Sequence, residues 1–305
     1  MEYVLTTEKL SKRYSHFTAL DGLSMHVPKG AVYGLVGRNG AGKTTLIRLV
    51  CGLQTPTSGL YTLYGVSHTD RRGLSKVRRR MGAVVETPSI YLDLTAEDNL
   101  KEQYLILGRP SFDGIPDLLK LVGLEDTGKK KARHFSLGMK QRLGIAVALA
   151  GDPDLLVLDE PVNGLDPQGI IEVRELILKL NRERQITVII SSHILDELAR
   201  LATHYGFIDS GRMVKELSAQ ELEAACRKCV HVEVSDTGAL ARVLDGMGVD
   251  YKIRSEKEAD IFAQLNVSQL TLALAKENCE ALSMQERDES LESYFVNLVG
   301  GGGHA

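Results

Sequence analysis

The stretch that decides the fold is Val32-Tyr33-Gly34-Leu35-Val36-Gly37-Arg38-Asn39-Gly40-Ala41-Gly42-Lys43-Thr44-Thr45. An apolar run rich in β-formers ends in a glycine-rich loop, and an apolar helical pattern follows. Four residues fit the spacing G-x-x-x-x-G-K-[ST] of a phosphate-binding loop: Gly37, Gly42, Lys43 and Thr44. A plain glycine turn is the alternative, but the strand before and the helix after are the context that this motif requires. The stretch therefore predicts a site for a nucleoside triphosphate.

Each part of this loop has a chemical reason to contact phosphate. Glycines let backbone N–H groups turn toward a polyanion, and the start of the helix adds unpaired donors. Lys43 can reach the β- and γ-phosphates, and the Thr44 hydroxyl can ligate Mg²⁺. The predicted nucleotide-binding residues of the loop are Gly37, Arg38, Asn39, Gly40, Ala41, Gly42, Lys43, Thr44 and Thr45.

Composition narrows the class of protein. With 305 residues, 43% hydrophobic and 25% charged, the chain suits one large globular domain or two modest ones. A formal net charge of -3 gives no general attraction to nucleic acid. The basic residues between Arg71 and Arg80 have no interleaved aromatics, which favours a solvated helix face over a nucleic-acid patch. We expect no nucleic-acid partner.

Two further features concern the compartment. The N-terminus carries acid and does not resemble a signal peptide, and no apolar run approaches the roughly 20 residues that a membrane-spanning helix needs. Four cysteines in this length suggest no disulfide framework. These observations predict a cytoplasmic chain that does not cross a bilayer by itself.

The chain divides by its hydrophobic pattern. Residues 1–215 predict an α/β domain, because the apolar strands at 155–158 and 186–190 suit a parallel sheet buried on both faces. A helical insertion at about 87–150 interrupts it. The first strand is predicted at Tyr3-Val4-Leu5-Thr6-Thr7, and a polar turn that ends in Lys12-Arg13-Tyr14 follows it. Residues 216–299 restart as a small α+β domain of order β-α-β-β-α-β-α, and 300–305 is a flexible tail. The sequence leaves two roles open for this second domain. It either regulates the protein or contacts a dimer partner, or it is an appendage that stabilises the chain.

Within the second domain, the pattern predicts strands at Tyr251–Arg254 and Ile261–Leu265. It also predicts a last helix with an apolar stripe of Leu291, Tyr294, Phe295 and Leu298.

Two strand ends carry the other candidate catalytic groups. Asp159 and Glu160 follow the apolar strand Leu155–Leu158, at the carboxyl end where parallel α/β sheets bind ligands. In this position Asp159 can bind Mg²⁺, and Glu160 can orient an attacking water. The strand at 186–190 delivers His193 in the same manner, either as a structural histidine or as a contact of the γ-phosphate. Tyr14 precedes the loop and is either a surface tyrosine or a side chain that stacks on a purine.

At these residues the sequence resembles the ATP-binding subunits of ABC transporters, over residues 1 to about 215. Gly37–Thr45 resembles the family's Walker A motif, Phe135–Arg142 its signature motif, Leu155–Glu160 its Walker B motif and Asn163–Asp166 its D-loop. His193 falls at the switch histidine and Tyr14 at the adenine-stacking aromatic. The resemblance implies a P-loop NTPase fold and ATP and Mg²⁺ as cofactors, with Glu160 and His193 as catalytic residues.

Two departures from the family's usual motifs indicate one branch of the family. The family's signature is usually Leu-Ser-Gly-Gly-Gln, whereas Ser136-Leu137-Gly138-Met139-Lys140 keeps only its serine and second glycine. Glu86 stands where the family has the glutamine of its Q-loop. Together with Tyr294-Phe295 they resemble the bacitracin- and lantibiotic-resistance branch. Glu86 can ligate Mg²⁺ directly but cannot donate a hydrogen bond as glutamine does. Thr44, Asp159 and Glu86 are therefore the candidate metal ligands.

The resemblance also implies partners. Two copies would bind head to tail, so that Ser136 and Gly138 of one complete the ATP site of the other. The homodimer would lie on the inner face of the membrane and drive a membrane-spanning permease that exports or removes a peptide antibiotic. A soluble ABC ATPase acting on the ribosome or on DNA is the alternative function. A P-loop kinase or GTPase would lack the signature stretch and the histidine.

Overall fold

The computed structural model describes residues 2–225, 228–263, 266–288, 294, 295 and 298. The chain separates into two compact units, residues 1–219 and 220–305. The boundary expected at 215–216 falls within a strand that continues to Ser218.

The first unit has a six-stranded sheet and a four-stranded antiparallel sheet. The six-stranded sheet has the order β10-β9-β3-β8-β7-β6, in which only the pair β9 and β10 is antiparallel. The strands of this unit are β1 Tyr3–Tyr14, β2 Phe17–Pro28, β3 Val32–Val36, β4 Ser58–Leu63, β5 Val66–Ser67, β6 Met81–Val84, β7 Leu155–Asp159, β8 Thr187–Ser192, β9 His204–Asp209 and β10 Arg212–Ser218. The parallel core that the sequence predicts is confirmed.

Seven α-helices belong to the described part of the first unit before residue 219. They are α1 Lys43–Val50, α2 Arg71–Arg78, α3 Ala96–Leu107, α4 Ile115–Leu121, α5 Leu137–Leu149, α6 Pro167–Arg184 and α7 Leu195–Ala199. An eighth helix, α8 Ala219–Ala225, begins at the boundary between the units. Helices α3 to α5 form the region that the sequence predicts as a helical insertion. Thr95 and Ser136 cap α3 and α5 by accepting a backbone N–H in the first turn.

Burial explains why the functional groups gather at one edge. All residues of β3, β7 and β8 are buried, and the acid of β7 and the two serines of β8 stand at the carboxyl ends of their strands. The register pairs Val36 with Ser192 and Asp159 with Ser191. The carboxyl ends of the three strands therefore lie side by side, and the loop of residues 37–42 begins there.

The antiparallel sheet, of order β2-β1-β4-β5, corrects one sequence-based prediction. The polar turn expected at Lys12-Arg13-Tyr14 is wrong, because β1 continues to Tyr14 and the chain reverses only before Phe17. The strand reads poorly in sequence because its register with β2 shifts several times, and each irregularity interrupts the alternation of apolar and polar residues.

Helix α5 packs against the sheet where β6 has a glycine. A Cβ on Gly82 would lie 2.2 Å from the carbonyl oxygen of Ala148, which belongs to the helix backbone and cannot move aside alone. We expect Gly82→Ala to lower the free energy of unfolding by roughly 2–3 kcal/mol, as overpacking of a core does. Urea unfolding followed by circular dichroism measures the change.

Gly151→Ala is the matched control, since its Cβ would meet only Leu107 Cδ1 at 3.8 Å and the Arg79 carbonyl oxygen at 3.9 Å. Equal stability of the two variants would show that the helix does not press on β6 at Gly82.

The second unit is a four-stranded antiparallel sheet with helices between its strands. Its strand order is β12-β13-β11-β14, which is that of a split β-α-β unit, as the sequence predicts. Its strands and helices are β11 Lys228–Val234, α9 Thr237–Met247, β12 Tyr251–Ile253, β13 Glu258–Ile261, α10 Val267–Lys276 and β14 Ala281–Asp288.

One predicted strand of the second unit is misplaced. The sequence predicts it at 261–265, but the strand that pairs with β11 ends at Ile261. In the predicted last helix, Tyr294, Phe295 and Leu298 are helical. Leu291 and the predicted tail at 300–305 lie outside the described residues.

A buried carboxylate on this sheet, that of Asp260, is paired with two basic side chains. Asp260 is 7% exposed, its Oδ1 lies 2.7 Å from His231 Nδ1, and its Oδ2 accepts a hydrogen bond of 2.6 Å from Arg254 Nε. Burial by itself raises the pKa of Asp260, but the hydrogen bonds from His231 and Arg254 outweigh it and hold this pKa below its ordinary value.

This lowered pKa predicts a pH-dependent contribution to stability. The ionised Asp260 stabilises the second unit above about pH 4, the ordinary aspartate pKa, and the stabilisation is lost as the pH falls through the lower pKa of the folded state. We therefore expect the stability difference between wild type and Asp260→Asn to shrink below about pH 4. Hydrogen-exchange mass spectrometry of residues 228–263 in urea measures it. Glu256→Gln serves as control, and a pH-independent difference would contradict the prediction.

In the part of the chain that the structure describes, no helix is both long enough and apolar enough to pass through a lipid bilayer.

Candidate functional site

The loop between β3 and α1 runs so close to other backbone that two of its glycines cannot carry a side chain. A Cβ on Gly37 would lie 2.6 Å from the carbonyl oxygen of Ile208, and a Cβ on Gly42 2.6 Å from that of Ala19. Gly42 also has a φ of 108°, a left-handed backbone that favours glycine. Steric limits therefore explain two positions of the motif.

The amides of this loop fit an anionic ligand. Helix α1 begins at Lys43, and its N-cap, Gly42, provides no side-chain acceptor for the N–H groups of the first turn. Helices α3, α5 and α6 differ, because their N-cap side chains do accept such a bond. Unpaired N–H groups and the positive end of the helix dipole attract phosphate. Within the loop, Arg38, Asn39 and Gly40 are exposed.

Lys43 is the buried cation of the site. Its side chain is 6% exposed, and its Nζ donates to the carbonyl oxygens of Gly37 at 2.7 Å and Arg38 at 3.4 Å. Nζ also lies 3.3 Å from Glu160 Oε1. The lysine is therefore held against its own loop, with its charge balanced by the carboxylate at the end of β7.

The two acids at the end of β7 are held differently. Asp159 is 1% exposed, and its Oδ1 accepts a hydrogen bond of 2.6 Å from the Ser191 hydroxyl. The Glu160 side chain is 20% exposed, and its N–H donates to Ser191 Oγ at 2.9 Å. Glu160 has a φ of 50°, so the chain turns sharply there and carries the second carboxylate away from the direction of the first.

His193 joins the same cluster. Its Nδ1 lies 2.7 Å from Glu160 Oε2, so the two carboxylate oxygens of Glu160 contact His193 and Lys43 respectively. The histidine side chain is 37% exposed. The structure thus brings Lys43, Asp159, Glu160 and His193 to one edge of the sheet, as the sequence predicts. A carboxylate between two donors can accept a proton or orient a water.

A metal ion at this edge would use few protein ligands. Among the described residues, no group of three or more His, Cys, Asp or Glu side chains could hold a metal. Thr44 and Asp159 offer oxygen atoms of the kind that Mg²⁺ uses, together with phosphate and water. Cys51 offers no thiolate, because burial raises the pKa of its thiol to about 12. The charge of Arg78 lowers this pKa and that of Asp159 raises it, both by less than burial does. The donor set fits Mg²⁺.

Glu86, the third candidate metal ligand, has a protein partner. It forms an ion pair with Arg48 of α1, and both side chains are partly exposed. Its φ of 62° is left-handed, so the loop turns sharply directly after β6. The structure joins the Glu86 loop to the helix that follows the phosphate-binding loop.

Tyr14 lies at the tip of the β1–β2 hairpin. Its hydroxyl donates a hydrogen bond of 2.6 Å to Gln54 Oε1, and Lys12 Nζ lies 5.2 Å from the centre of its ring. The ring is 37% exposed and paired in register with Phe17 across the hairpin. An exposed aromatic ring fixed at its hydroxyl can stack on a base.

Ser136 and Gly138 lie at the start of α5. Ser136 is exposed and its Oγ accepts the N–H of Met139 at 3.2 Å, whereas Gly138 is buried. A Cβ on Gly138 would lie 3.6 Å from Gly169 Cα, so α5 and α6 pack closely there. Among the described residues, the hydrogen bonds and ion pairs of the Lys43, Glu160 and His193 side chains go to residues other than Ser136 and Gly138.

Sequence reasoning missed three partners of the candidate residues. These are Ser191 beside the two acids, Arg48 beside Glu86 and Gln54 beside Tyr14. A signal existed for Ser191, since a serine that ends an apolar strand faces the polar end of the next strand. Arg48 and Gln54 have no such signal in the chain.

Comparisons with known proteins agree with this geometry. The family model described as ABC transporter matches residues 20–163. The bacitracin transport ATP-binding protein of Enterococcus faecalis is 38% identical over 100% of this chain and 99% of its own length. The lantibiotic transport ATP-binding protein of Streptococcus pyogenes is 45% identical over 70% of this chain and 90% of its own length.

Solved structures share the fold over about 70% of the chain. The Clostridium perfringens cbiO1 protein, described as part of an ABC transporter complex, superposes with a TM-score of 0.66 at 28% identity, over 73% of this chain and 92% of its own. A dimeric ATP-binding cassette bound to ADP and Pi has a TM-score of 0.64 at 24% identity, over 70% of this chain and 98% of its own. At that identity the second likeness concerns the fold alone.

Proposed function

The chain belongs to the ABC transporter family as an ATP-binding subunit with ATPase activity, and on that premise we propose that its site binds ATP with Mg²⁺ at the ends of β3, β7 and β8. The observation that carries the proposal is the cluster of Lys43, Glu160 and His193 beside the glycine loop. ATP supplies the phosphoanhydride bond that is hydrolysed, and Mg²⁺ supplies positive charge beside its phosphates. Thr44 and Asp159 hold the metal, with Glu86 as a further candidate ligand.

The residues of the site then have separate roles. The loop amides and Lys43 bind phosphate, which requires the Lys43 Nζ to leave Glu160 Oε1, now 3.3 Å away. Glu160 orients the attacking water and accepts its proton, and His193 holds the Glu160 carboxylate and contacts the γ-phosphate. Tyr14 stacks on the adenine ring.

The proposed active unit is a head-to-tail homodimer. Ser136 and Gly138 lie at the start of α5, and Ser136 is exposed. Among the described residues, no side-chain hydrogen bond or ion pair of Lys43, Glu160 or His193 involves either of them. A second copy would bring this helix start to the phosphates, so that ATP joins the two chains and hydrolysis separates them.

The proposed partner is a membrane-spanning permease on the inner face of the membrane. Relatives that match 99% or more of the chain are named for bacitracin transport, and a relative that matches 70% of the chain is named for lantibiotic transport. We therefore propose that the complex exports or removes a peptide antibiotic. The same relatives favour this function over a soluble ABC ATPase that acts on the ribosome or on DNA.

Co-purification tests the partner. Tagged Glu160→Gln protein is isolated from detergent-solubilised membranes of its native cells with ATP and Mg²⁺, with untagged cells as control. We expect a protein with several membrane spans in stoichiometric amount. Recovery with ribosomes or DNA, or without any membrane protein, would contradict transport.

Drug susceptibility tests the cargo in the same cells. Cells that lack the gene should gain resistance to bacitracin or a lantibiotic from the wild-type gene but not from the Glu160→Gln gene. Equal resistance from both genes would contradict ATP-driven export.

A further inference from the structure

Ser191 is a polar residue inside the buried strand β8. Its relative exposure is 0%, and the residues before it, Val188 to Ile190, are apolar and buried. A hydroxyl removed from water is tolerated when its hydrogen bonds are made within the protein. The partners of this hydroxyl therefore indicate what it stabilises.

Both partners belong to the pair of acids at the end of β7. Ser191 Oγ donates to Asp159 Oδ1 at 2.6 Å and accepts the N–H of Glu160 at 2.9 Å. The parallel register pairs Asp159 with Ser191. One hydroxyl thus fixes the side chain of one acid and the backbone of the next.

Glu160 depends on this contact because of its backbone. Its φ of 50° is a left-handed conformation, which is unfavourable for a residue with a Cβ. Its N–H is held by Ser191 Oγ and also lies 3.2 Å from the Ser191 carbonyl oxygen. In this conformation the Glu160 carboxylate reaches both Lys43 and His193.

The Ser191 hydroxyl also fixes the direction of the Asp159 carboxylate. The bond from Ser191 goes to Oδ1, and among the described residues no hydrogen bond or ion pair goes to the second oxygen, Oδ2, which is therefore available to a ligand. A carboxylate anchored through one oxygen presents the other in a fixed direction, which is how outer hydrogen bonds tune a metal site.

We propose that Ser191 is a positioning residue of the nucleotide site, whose hydroxyl aims Asp159 at the metal and holds Glu160 in its turn. The proposal rests on the ATPase function proposed for this site. It predicts a loss confined to metal-dependent binding and to catalysis, because the two bonds of the Ser191 hydroxyl go to the acids, whereas Lys43 is held by the carbonyl oxygens of its own loop.

Ser192 provides the matched control in the same strand. It is 1% exposed, but its hydroxyl bonds to the backbone of Ile194, accepting the N–H at 2.9 Å and donating to the carbonyl oxygen at 3.4 Å. Ser192→Ala and Ser191→Ala therefore each remove one buried hydroxyl group from β8, but the hydrogen bonds that are lost go to different partners.

The test uses the full chain and two readouts. Electron paramagnetic resonance of free Mn²⁺ gives the affinity of Mn²⁺ with ADP, and calorimetry gives the affinity of ATP in EDTA. For Ser191→Ala we expect Mn²⁺ affinity and kcat to fall roughly ten- to a hundredfold, as loss of an outer hydrogen bond does. ATP affinity in EDTA should stay within about twofold of wild type. Ser192→Ala should keep wild-type Mn²⁺ affinity.

Two results would overturn the proposal. In one, Ser191→Ala binds Mn²⁺ as tightly as Ser192→Ala. In the other, its ATP affinity in EDTA falls as much as its Mn²⁺ affinity, which indicates general damage to the site. Either result leaves the ATPase function standing, whereas a wild-type chain that binds no nucleotide would refute that function itself.

Discussion

Replacing Glu160 by glutamine is expected to lower kcat for ATP hydrolysis by roughly a hundred- to ten-thousandfold, the usual contribution of a general base. Glutamine keeps the shape of the side chain and can still bond to His193, but it cannot take a proton from water. The carboxylate now lies 2.7 Å from His193 Nδ1 and 3.3 Å from Lys43 Nζ, so it is in place for this role.

The same substitution separates catalysis from binding. The variant removes the negative charge that Lys43 now contacts, so the lysine is no longer held by an internal anion. ATP affinity should therefore equal or exceed that of wild type while turnover is lost. Phosphate release and equilibrium binding of labelled ATP measure the two quantities.

Glu97→Gln is the control for loss of a carboxylate. Glu97 is a partly exposed residue of α3 paired with Lys101 at 2.7 Å, outside the nucleotide site. It should hydrolyse ATP as wild type does. Turnover at the wild-type rate in Glu160→Gln as well would remove Glu160 from catalysis.

Replacing Lys43 by methionine is expected to weaken ATP binding roughly a hundredfold, as loss of one member of a buried charge pair does. Methionine retains most of the aliphatic stem but removes the charge that would face the phosphates. Because the side chain is 6% exposed, no water can replace the ammonium easily.

Lys76→Met tests whether the loss is specific to the site. Lys76 is an exposed residue of α2, and its loss should leave ATP affinity unchanged. Calorimetry with ATP at fixed ionic strength measures both variants. Wild-type affinity in Lys43→Met would contradict the assignment of the loop.

Much of the fold follows from local sequence. Buried strands such as β7 and β8 read as unbroken apolar runs, and polar residues begin where the strands end. The caps at Thr95 and Ser136 are visible because a side chain and the first turn of its helix are neighbours in sequence. The spacing of Gly37 and Gly42 reflects close backbone contact.

Contacts between distant residues are what the sequence does not reveal. Ser191 is 32 positions from Asp159, and Arg48 is 38 positions from Glu86, so only the sheet register and the packed helix bring them together. The start of β1 is predictable, but its continuation to Tyr14 is not, since its bulges are set by two partner strands. Residues near a motif are therefore predictable, whereas of their three partners only Ser191, at the polar end of an apolar strand, has a signal in the sequence.

The central claim is that two chains complete each ATP site. Mass measurement of the full-length Glu160→Gln protein in solution, with and without ATP and Mg²⁺, tests it most directly. We expect one chain without ATP and two chains with one ATP each, and a single chain under both conditions when Lys43→Met is added. A single-chain mass for Glu160→Gln at saturating ATP would contradict the claim.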